Sequence, residues 1–341
     1  MAGPAGLSPD DPSGTPGRAT ILDVAAAAGV SRQTVTRAMN GMEGISAATK
    51  ERVLAAAEAL AYRPSRFGRG LVLGGEQQLG LIVDDLRNPY SPALAAAVVR
   101  AAAAQGWNVM LADIALTGDA GRMVEALGAQ TDAVVGYFGK RAPEFIALLG
   151  SVPVVELDPS GPVTGGAVHL DPGKAVEGLV EHLIGAGVRH AVVLDSAGPD
   201  LPSRRATRMR IAFAARGQDV AVEAVAEPTA EQAAEATEGL LRRDPRPDAI
   251  LAFNDVMALG VLSACRRAGM DVPGEVRVIG VDGLPLGALV TPTLTTLEVD
   301  VDEVARQALV LAVGMVAGRT PRSGPEAERT VRHRLLLRES A

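Results

Sequence analysis

The sequence predicts an α/β protein with an N-terminal helix-turn-helix head and two lobes, each built on a doubly wound parallel sheet. Two short helical patterns with a Gly-containing turn between them lie near the N-terminus and predict the head. Beyond residue 76, apolar strand patterns alternate with helical patterns, as they do in parallel sheets. The strand patterns are too numerous for one ordinary sheet, so two lobes are expected.

Composition limits the classes of protein that this chain can be. Among its 341 residues 48% are hydrophobic and only 3% aromatic, so the cores are expected to consist of Ala, Val and Leu. The single cysteine, Cys265, excludes an internal disulfide and lies in an apolar helical pattern, where a small buried residue is expected. No apolar run approaches the ~20 residues of a membrane span, and no signal peptide is apparent, so a cytoplasmic location is predicted.

The first helix of the head is predicted from its ends. Thr20, followed three positions later by Asp23, is typical of a capping box. Gly29 is expected to end the helix, because Gly adopts the left-handed conformation that a C-cap requires. Ser31 is then the N-cap of a second helix over Arg32–Met39. The head is assigned to residues 19–63, after a Gly-, Pro-, Ser- and Asp-rich tail over residues 1–18 that is expected to be disordered.

The second helix carries side chains that can read DNA. Its N-terminal end is the part that such a motif presents to the major groove. Arg can pair with a guanine edge and Gln with an adenine edge, while short hydroxyl and amide side chains suit phosphate oxygens. A small helical bundle with a solvated polar face is the alternative. The head residues predicted to bind DNA are Thr20, Ser31, Arg32, Gln33, Thr34, Thr36, Arg37, Asn40, Ser46 and Tyr62.

The distribution of charge favours DNA binding. Residues 18–71 contain eight Lys and Arg against four Asp and Glu, a net charge of +4. The whole chain has a net charge of −7 and residues 1–17 contribute −2, so residues 72–341 carry −9. A basic head on an acidic body is the pattern expected of a protein that binds phosphates with one end.

The head also resembles a known family. The pattern D-V-A-x-x-A-G-V-S-x-x-T-V-(S/T)-R-x-x-N is matched from Asp23 to Asn40, and the family pattern that follows is matched from Ile45 to Pro64. This is the opening signature of the lactose-repressor-type (LacI/GalR) transcription regulators. The resemblance implies that Arg32, Gln33 and Arg37 read bases. It also implies a homodimer that places two heads on a near-palindromic double-stranded DNA operator.

Residues 64–76 correspond to the hinge of that family. The resemblance implies a short helix that forms on the operator and inserts Leu71 into the minor groove, a known way to bend DNA. Arg66 is expected to contact phosphates. Gly68 and Gly70 depart from the family, since each Gly costs about 1 kcal/mol in a helix relative to Ala. A flexible Gly-rich linker is therefore the alternative.

Residues 77–341 are predicted to form the two lobes and to be the effector-binding and dimerisation domain. The predicted strands are LGLIVDD, WNVMLAD, AVVGYF, PVVELD, AVVLDSA, VAVEAVA, DAILAFN and VRVIGVDG. The predicted helices cover residues 92–106, 121–131, 143–149, 172–185, 203–216, 229–243 and 255–269. The segments TPTLTTLEVD, 301–318 and VRHRLLLRES are expected to return the chain between the lobes and complete the sheets. This part resembles the periplasmic-binding-protein fold that the family uses as its sensor.

An effector site is expected at the carboxyl ends of the strands, between the lobes. Carboxylates and amides there suit bidentate contacts with ligand hydroxyls, although a loop or a helix cap is the alternative for any single acidic strand end. The family commonly has an Arg four residues before an aromatic in the helix after AVVLDSA. Met209 occupies that place before Phe213, and Arg208 is preferred to Arg210 beside it. The predicted effector residues are Asn88, Tyr90, Ser91, Asp158, Arg208, Asn254, Asp255 and Asp282.

The function predicted is a sequence-specific DNA-binding transcriptional regulator, most often a repressor in this family, controlled by a small molecule such as a sugar. A solute-binding protein or small-molecule receptor without an operator is the alternative. The chain lacks a dinucleotide fingerprint, a phosphate loop and a G-x-S-x-G motif, so it is not expected to be an enzyme. No cofactor or metal is predicted. A dimer is preferred to a tetramer, because no C-terminal heptad run is present.

Overall fold

The computed structural model describes residues 21–39, 44–60, 77–115, 118–196 and 202–341. They belong to two compact units, one before Gln77 and one from Gln77 to Ala341. The tail over residues 1–18, the hinge over residues 64–76 and five predicted site residues lie outside the described residues, namely Thr20, Asn40, Tyr62, Arg66 and Leu71.

The described residues of the head form three helices, α1 (Ile21–Ala28), α2 (Arg32–Met39) and α3 (Ala47–Ala59). The predicted end of α1 is confirmed, because Gly29 follows it with a φ of +63°. The predicted cap of α2 is also confirmed, since the Ser31 Oγ accepts a hydrogen bond from the Thr34 N at 3.1 Å. The three helices surround a small core of Val and Ala that includes the fully buried Val24, Val35 and Val53.

The second unit contains twelve strands among its described residues. In chain order these are β1 (Gln77–Val83), β2 (Trp107–Asp113), β3 (Ala133–Gly136), β4 (Val154–Leu157), β5 (Gly166–Asp171), β6 (Ala191–Asp195), β7 (Ala221–Ala224), β8 (Ala249–Ala252), β9 (Arg277–Asp282), β10 (Thr295–Glu298), β11 (Glu328–Arg332) and β12 (Arg334–Leu336). The helices are α4 (Tyr90–Ala103), α5 (Ala120–Gly128), α6 (Ala142–Leu149), α7 (Gly173–Gly185), α8 (Arg204–Ala214), α9 (Ala230–Leu240), α10 (Asp255–Arg267) and α11 (Val301–Val316).

These strands form two six-stranded sheets, one in each lobe. The first lobe has the order β11-β5-β4-β3-β1-β2, and the second has the order β12-β10-β9-β8-β6-β7. All neighbouring strands are parallel except β10 and β12, which are antiparallel. The prediction of two doubly wound parallel sheets is therefore confirmed.

The chain crosses between the lobes in both directions. Helix α7 follows β5 but packs in the core of the second lobe through residues such as Leu179 and Leu183. Helix α11 follows β10 but packs in the core of the first lobe through Leu309 and Leu311. Strands β11 and β12 then complete one sheet each, which confirms the expectation for the C-terminal segments.

Several boundaries differ from the predicted ones. Helix α4 begins at Tyr90 rather than at residue 92, because Pro92 lies in its first turn, where a missing N–H is tolerated. Strand β5 was not predicted at all, since its sequence GAVHLD is short and follows a segment rich in Gly and Pro. Among the described residues, no helix combines the length and the apolar character that a membrane span requires.

Candidate functional site

Helix α2 of the head has one buried face and one polar face. Val35 and Ala38 are buried, whereas Arg32 and Gln33 are exposed in the first turn. The hydroxyl of Thr36 donates to the Arg32 carbonyl oxygen at 3.1 Å. The helix therefore presents Arg and Gln donors to solvent at its N-terminal end.

The other predicted head residues lie around this surface. Arg37 is exposed in the last turn of α2. The hydroxyls of Ser31 and Thr34 are 2.9 Å apart. Ser46 caps α3 in the same way, with its Oγ 3.2 Å from the Thr49 N. These hydroxyls thus organise the helix N-termini at the surface of the head.

In the second unit, two aspartates end equivalent strands of the two lobes. Asp158 follows β4 and Asp282 ends β9. These two strands occupy the same place in their sheets, third from the edge strands β11 and β12. Asp158 has a φ of 43° and Asp282 a φ of 121°, and no other described residue except Gly has a positive φ. Such strained backbone tends to cluster at functional sites, so these positions mark the strand ends as a candidate site.

Arg205 lies beside Asp282. Its Nη1 is 3.6 Å from the Asp282 Oδ1 and donates to the Phe253 carbonyl oxygen at 2.9 Å. The guanidinium also lies 4.7 Å from the centre of the Phe253 ring. Tyr90, Tyr137 and Asp158 of the first lobe are close enough to Arg205 to interact with its charge. Arg205 therefore stands between polar groups of both lobes.

Asp282 is almost completely buried, with a side chain that is 2% exposed. Its Oδ2 has no hydrogen-bond partner within the part of the chain that the structure describes. Burial raises the pKa of Asp282 to about 7, although the nearby charge of Arg205 lowers it. A carboxyl group in this position is able to accept or donate a hydrogen bond near neutral pH.

Arg204 joins the two lobes at the edge of this site. It is the first residue of α8, and its Nη1 donates to the Pro159 carbonyl oxygen at 2.6 Å and lies 3.3 Å from the Asp158 Oδ1. Asp158 and Pro159 belong to the first lobe, whereas α8 belongs to the second. This contact therefore responds to any change in the separation of the lobes.

Two tyrosines of the first lobe form a hydrogen-bonded pair. The hydroxyls of Tyr90 and Tyr137 are 2.7 Å apart, and their rings meet edge to face with centroids 6.1 Å apart. Burial raises the pKa of both phenols, so both remain neutral. Tyr90 was predicted, whereas Tyr137 was missed, although it directly follows the buried strand β3.

Asn88 and Ser91 lie at the start of α4 beside Tyr90. The Asn88 Oδ1 accepts a hydrogen bond from the Tyr90 N at 3.1 Å. Ser91 is buried, and its hydroxyl donates to the Asp84 Oδ1 over a long distance of 3.5 Å. Both side chains thus hold the turn that positions Tyr90.

Asn254 and Asp255 have partners inside the second lobe. The Asn254 Oδ1 caps α10 by accepting from the Met257 N at 2.8 Å. The Asp255 Oδ1 accepts from the Thr296 hydroxyl, and its Oδ2 from the Leu284 N, both at 2.6 Å. Burial raises the pKa of Asp255 to about 6. Its two oxygens therefore hold the loop after β9, at Leu284, and strand β10, at Thr296. This matches the alternative in which an acidic strand end supports a loop and does not bind a ligand.

Arg208 is exposed, and it lines a cavity of about 280 Å³ at the carboxyl end of β5. The arginine that lies against Asp282 is instead Arg205, three residues earlier on the same face of α8. Arg204 and Arg205 were not singled out from the sequence. One feature of the sequence could have pointed to them. Two arginines begin this helix, at an end where acidic side chains are usually preferred.

Comparison with known proteins connects both parts of the chain to one family. The family model described as "Bacterial regulatory proteins, lacI family" matches residues 20–65, and the model described as "Periplasmic binding protein-like domain" matches residues 180–341. The HTH-type transcriptional regulator reg1 of Streptomyces lividans is 32% identical, over 94% of this chain and 96% of that protein. The chain belongs to the lacI family of bacterial regulatory proteins.

Other lacI-family relatives support the same assignment. The HTH-type transcriptional regulator MalR of Streptomyces coelicolor is 31% identical, over 94% of this chain and 96% of that protein. A LacI family transcriptional regulator from Arthrobacter sp. FB24, solved in complex with lactose, has 38% identity and a TM-score of 0.73, over 78% of this chain and 99% of that one. The structure of a regulator CelR–cellobiose complex has 26% identity and a TM-score of 0.68, over 95% of this chain and 100% of that one. This lacI-family protein is a DNA-binding transcriptional regulator.

Proposed function

We propose that this lacI-family regulator binds a near-palindromic operator as a homodimer in the cytoplasm, represses transcription there, and changes its operator affinity when a small sugar-like effector binds between its lobes. The observation that supports the effector part is the position of Arg204 and Arg205 at the start of α8. Arg205 lies 3.6 Å from Asp282 of its own lobe, and Arg204 donates to the Pro159 carbonyl oxygen of the other lobe at 2.6 Å. A ligand at this point contacts both lobes at once.

The operator is read by the exposed face of α2. Arg32, Gln33 and Arg37 contact base edges, which is supported by their exposure on the polar face of this helix. Ser31, Thr34, Thr36 and Ser46 contact phosphates or hold the helix ends that do so. Thr20, Asn40, Tyr62, Arg66 and Leu71 belong to the same proposal and lie outside the described residues.

The effector is bound by polar groups at the strand ends. A ligand hydroxyl donates to the Asp282 Oδ2, which is buried and has no partner among the described residues. Asp158, Asn254, Tyr90 and Arg208 line the same region, with Asn88, Ser91 and Asp255 holding its walls. The lactose and cellobiose in two related structures support a sugar as the chemical class.

Regulation of DNA binding depends on the separation of the two lobes. An effector shifts DNA binding only by the difference in its affinity for two conformations. A ligand that contacts Asp282 and Asp158 together favours the conformation in which the lobes are close, where Arg204 reaches the Pro159 carbonyl at 2.6 Å. The separation of the lobes is therefore the variable that the effector controls.

The test of operator reading is a selection of bound genomic fragments with the purified full chain, followed by titration of the selected site at several salt concentrations. Arg32→Ala is expected to weaken binding by about 10- to 100-fold and to relax the preference at one position of each half-site, because a bidentate base contact is worth roughly 1–3 kcal/mol. Arg266→Ala, which removes an exposed cation from the body, is the matched control.

Two outcomes would contradict the proposal. Absence of any enriched palindrome, both alone and with lactose or cellobiose present, argues against an operator. A chain that binds sugars and never binds a specific DNA site is instead a small-molecule receptor. Equal weakening by Arg32→Ala at specific and random DNA would show that Arg32 contacts phosphates rather than bases.

A further inference from the structure

A cationic cavity lies where α8 meets the carboxyl end of β5. Its volume is about 280 Å³, and its charged lining includes Arg204, Arg205 and Arg208 on one side and Asp158 and Asp171 on the other. We refer to it as the arginine cavity. Protein sites for drug-sized ligands have volumes of roughly 300–1,000 Å³, so this cavity suits a ligand of about the size of a monosaccharide.

Most of the hydrogen-bond donors of the three arginines have no partner among the residues that the structure describes. A guanidinium has five N–H donors. Arg204 and Arg205 each use only Nη1 in the contacts described above. Arg208 makes no hydrogen bond or ion pair with any residue that the structure describes. The cavity therefore offers several planar donor groups that match the geometry of a carboxylate or a phosphate.

The acidic groups of the cavity already have partners. Asp158 lies 3.3 Å from Arg204, and the Asp171 Oδ1 accepts from the Gly173 N at 2.9 Å. The Asp171 Oδ2 also lies 4.0 Å from the Arg332 Nε. Since these carboxylates are compensated locally, they do not neutralise the charge of Arg208.

Neither histidine of the cavity can be a counterion of the arginines, because an imidazole is either neutral or positively charged. Burial lowers the pKa of His333 to about 4, so its ring is neutral at physiological pH. His169 instead pairs with Glu328 outside the cavity lining, with its Nε2 at 2.8 Å from the Glu328 Oε2. With three arginines against two aspartates in its lining, the cavity is cationic within a body that is acidic overall.

The sequence of α8 places arginines at the N-terminus of the helix, where acidic side chains are usually preferred. The helix reads RRATRMRIAFA and contains four arginines and no acidic residue. Cations are disfavoured near a helix N-terminus, and like charges four residues apart, as in Arg204 and Arg208, repel each other. The carboxylates at this helix end come from other elements, with Asp158 beside Arg204 and Asp282 beside Arg205, and none of the described residues pairs with Arg208.

We propose that the effector is a small sugar derivative with an anionic group, either a phosphate or a carboxylate, which binds to Arg204 and Arg208 while its hydroxyls reach Asp282 beside Arg205. This proposal rests on the proposed effector function and names its ligand class. The buried Asp282 Oδ2 without a partner supplies the acceptor for a hydroxyl, and the free donors of the arginine cavity supply the anion site.

The experiment is calorimetric titration of the full chain at constant ionic strength with inorganic phosphate, glucose 6-phosphate, glucuronate, glucose, lactose and sodium chloride. Phosphate alone is expected to bind to the wild type, and at least one anionic sugar is expected to bind at least tenfold more tightly than glucose. Arg208→Gln is expected to weaken both by about tenfold or more, because it removes a charged donor. Arg210→Gln, a change at an exposed arginine of α8 that lines a different cavity, is expected to leave both unchanged.

The arms of the experiment separate the outcomes. Preference for glucose 6-phosphate assigns the anion as a phosphate, and preference for glucuronate assigns it as a carboxylate. The proposal is overturned when phosphate and both anionic sugars bind no better than chloride and glucose, or when Arg208→Gln binds them as the wild type does. Lactose binding that is equal in the wild type and in Arg208→Gln would then leave the effector function standing with a neutral ligand. Because Arg208 is exposed, circular dichroism of the variant checks that its fold is retained.

Discussion

The two lobes have the same strand order but supply different chemistry at equivalent positions. Strand β4 of the first lobe corresponds to β9 of the second, and both lead into an aspartate with positive φ and an adjacent arginine from α8. The pair at the end of β4, Asp158 of the first lobe and Arg204 of the second, has side chains that are 26% and 52% exposed. The pair of the second lobe, Asp282 and Arg205, has side chains that are 2% and 26% exposed.

This difference in burial changes what each pair does. The exposed pair is a contact between lobes whose free energy is expected to be small, because water screens it. In the buried pair, loss of hydration is the largest influence on Asp282 and raises its pKa to about 7. The same topological position thus yields a solvent-exposed contact between the lobes in one case and a buried carboxyl within the second lobe in the other.

The largest expected effect comes from removing the arginine of the buried pair. Arg205→Met is expected to lower the free energy of unfolding by about 3 kcal/mol at pH 8, since it leaves a buried carboxylate without its cation. Arg204→Met is the matched change in the exposed pair and is expected to cost less than about 1 kcal/mol. Urea unfolding followed by far-UV circular dichroism measures both.

A double variant sharpens this comparison. Arg205→Met combined with Asp282→Asn is expected to recover part of the lost stability, because no buried charge remains without a partner. Equal losses in Arg205→Met and Arg204→Met would show that the two pairs do not differ in the way their burial suggests.

A second difference between the lobes concerns how closely equivalent helices pack. In the second lobe, a Cβ on Gly260 of α10 would overlap the Ala230 carbonyl oxygen of α9, which is backbone and cannot rotate away. In the first lobe, a Cβ on Gly128 of α5 would lie 2.8 Å from the Leu149 Cδ2, the end of a flexible side chain next to α6. Gly260→Ala is therefore expected to cost about 2 kcal/mol and Gly128→Ala about 1 kcal/mol or less.

The same urea experiment distinguishes these variants by lobe. Trp107 is the only tryptophan and is buried in the core of the first lobe, so its fluorescence reports unfolding there. Gly260→Ala is expected to shift the circular dichroism transition, and a larger loss in Gly128→Ala would reverse the inferred difference in packing.

The pH dependence of stability tests the protonation of Asp282. Its pKa is about 7 in the folded chain, above the ordinary 3.8 of an aspartate, so the folded state binds a proton more tightly between these values. The contribution of Asp282 to the free energy of unfolding therefore falls as the pH rises from about 4 to about 7. Asp282→Asn is expected to make the measured fall in this window shallower.

Asp158→Asn is the control for that measurement. Its side chain is 26% exposed, and its slope with pH is expected to remain closer to that of the wild type. Urea titrations at pH 5, 6, 7 and 8 provide the slopes. Identical slopes in the wild type and Asp282→Asn would contradict the raised pKa.

The smallest expected effect is a stabilisation. Gly239 lies in α9 with nothing within 4 Å of a Cβ built on it. Gly239→Ala is expected to raise the free energy of unfolding by about 0.5 kcal/mol, because Ala has the better helix propensity and restricts the unfolded chain. Thermal unfolding measures this variant and Gly260→Ala side by side. The same substitution in two adjacent helices is expected to change the free energy of unfolding in opposite directions.

Local features of the sequence were sufficient for the head and for the alternation of strands and helices. The end of α1 at Gly29 and the cap of α2 at Ser31 depend on residues at most a few positions apart, so they are visible in the sequence. The acidic strand ends at Asp158 and Asp282 were also visible, because strand patterns end there.

The partners of those aspartates could not be derived in this way. The sequence favoured Arg208, chosen by its distance from Phe213 along the helix, whereas packing placed Arg205 against Asp282. The sequence likewise predicted Asp255 as a ligand residue. In the fold its oxygens accept hydrogen bonds from Leu284 and Thr296, far along the chain.

The sequence by itself thus determined the fold class, the alternation of strands and helices apart from β5, and the acidic ends of β4 and β9. Caps, turns and hydrophobic periodicity act between near neighbours, and the chain carries them wherever it folds. Only the tertiary structure decided which arginine meets Asp282, which carboxyl is buried, and which ion pair crosses between the lobes. Burial and ion pairing depend on groups that are distant in the chain and meet only when the two sheets assemble, and their strength depends on the water that this assembly excludes.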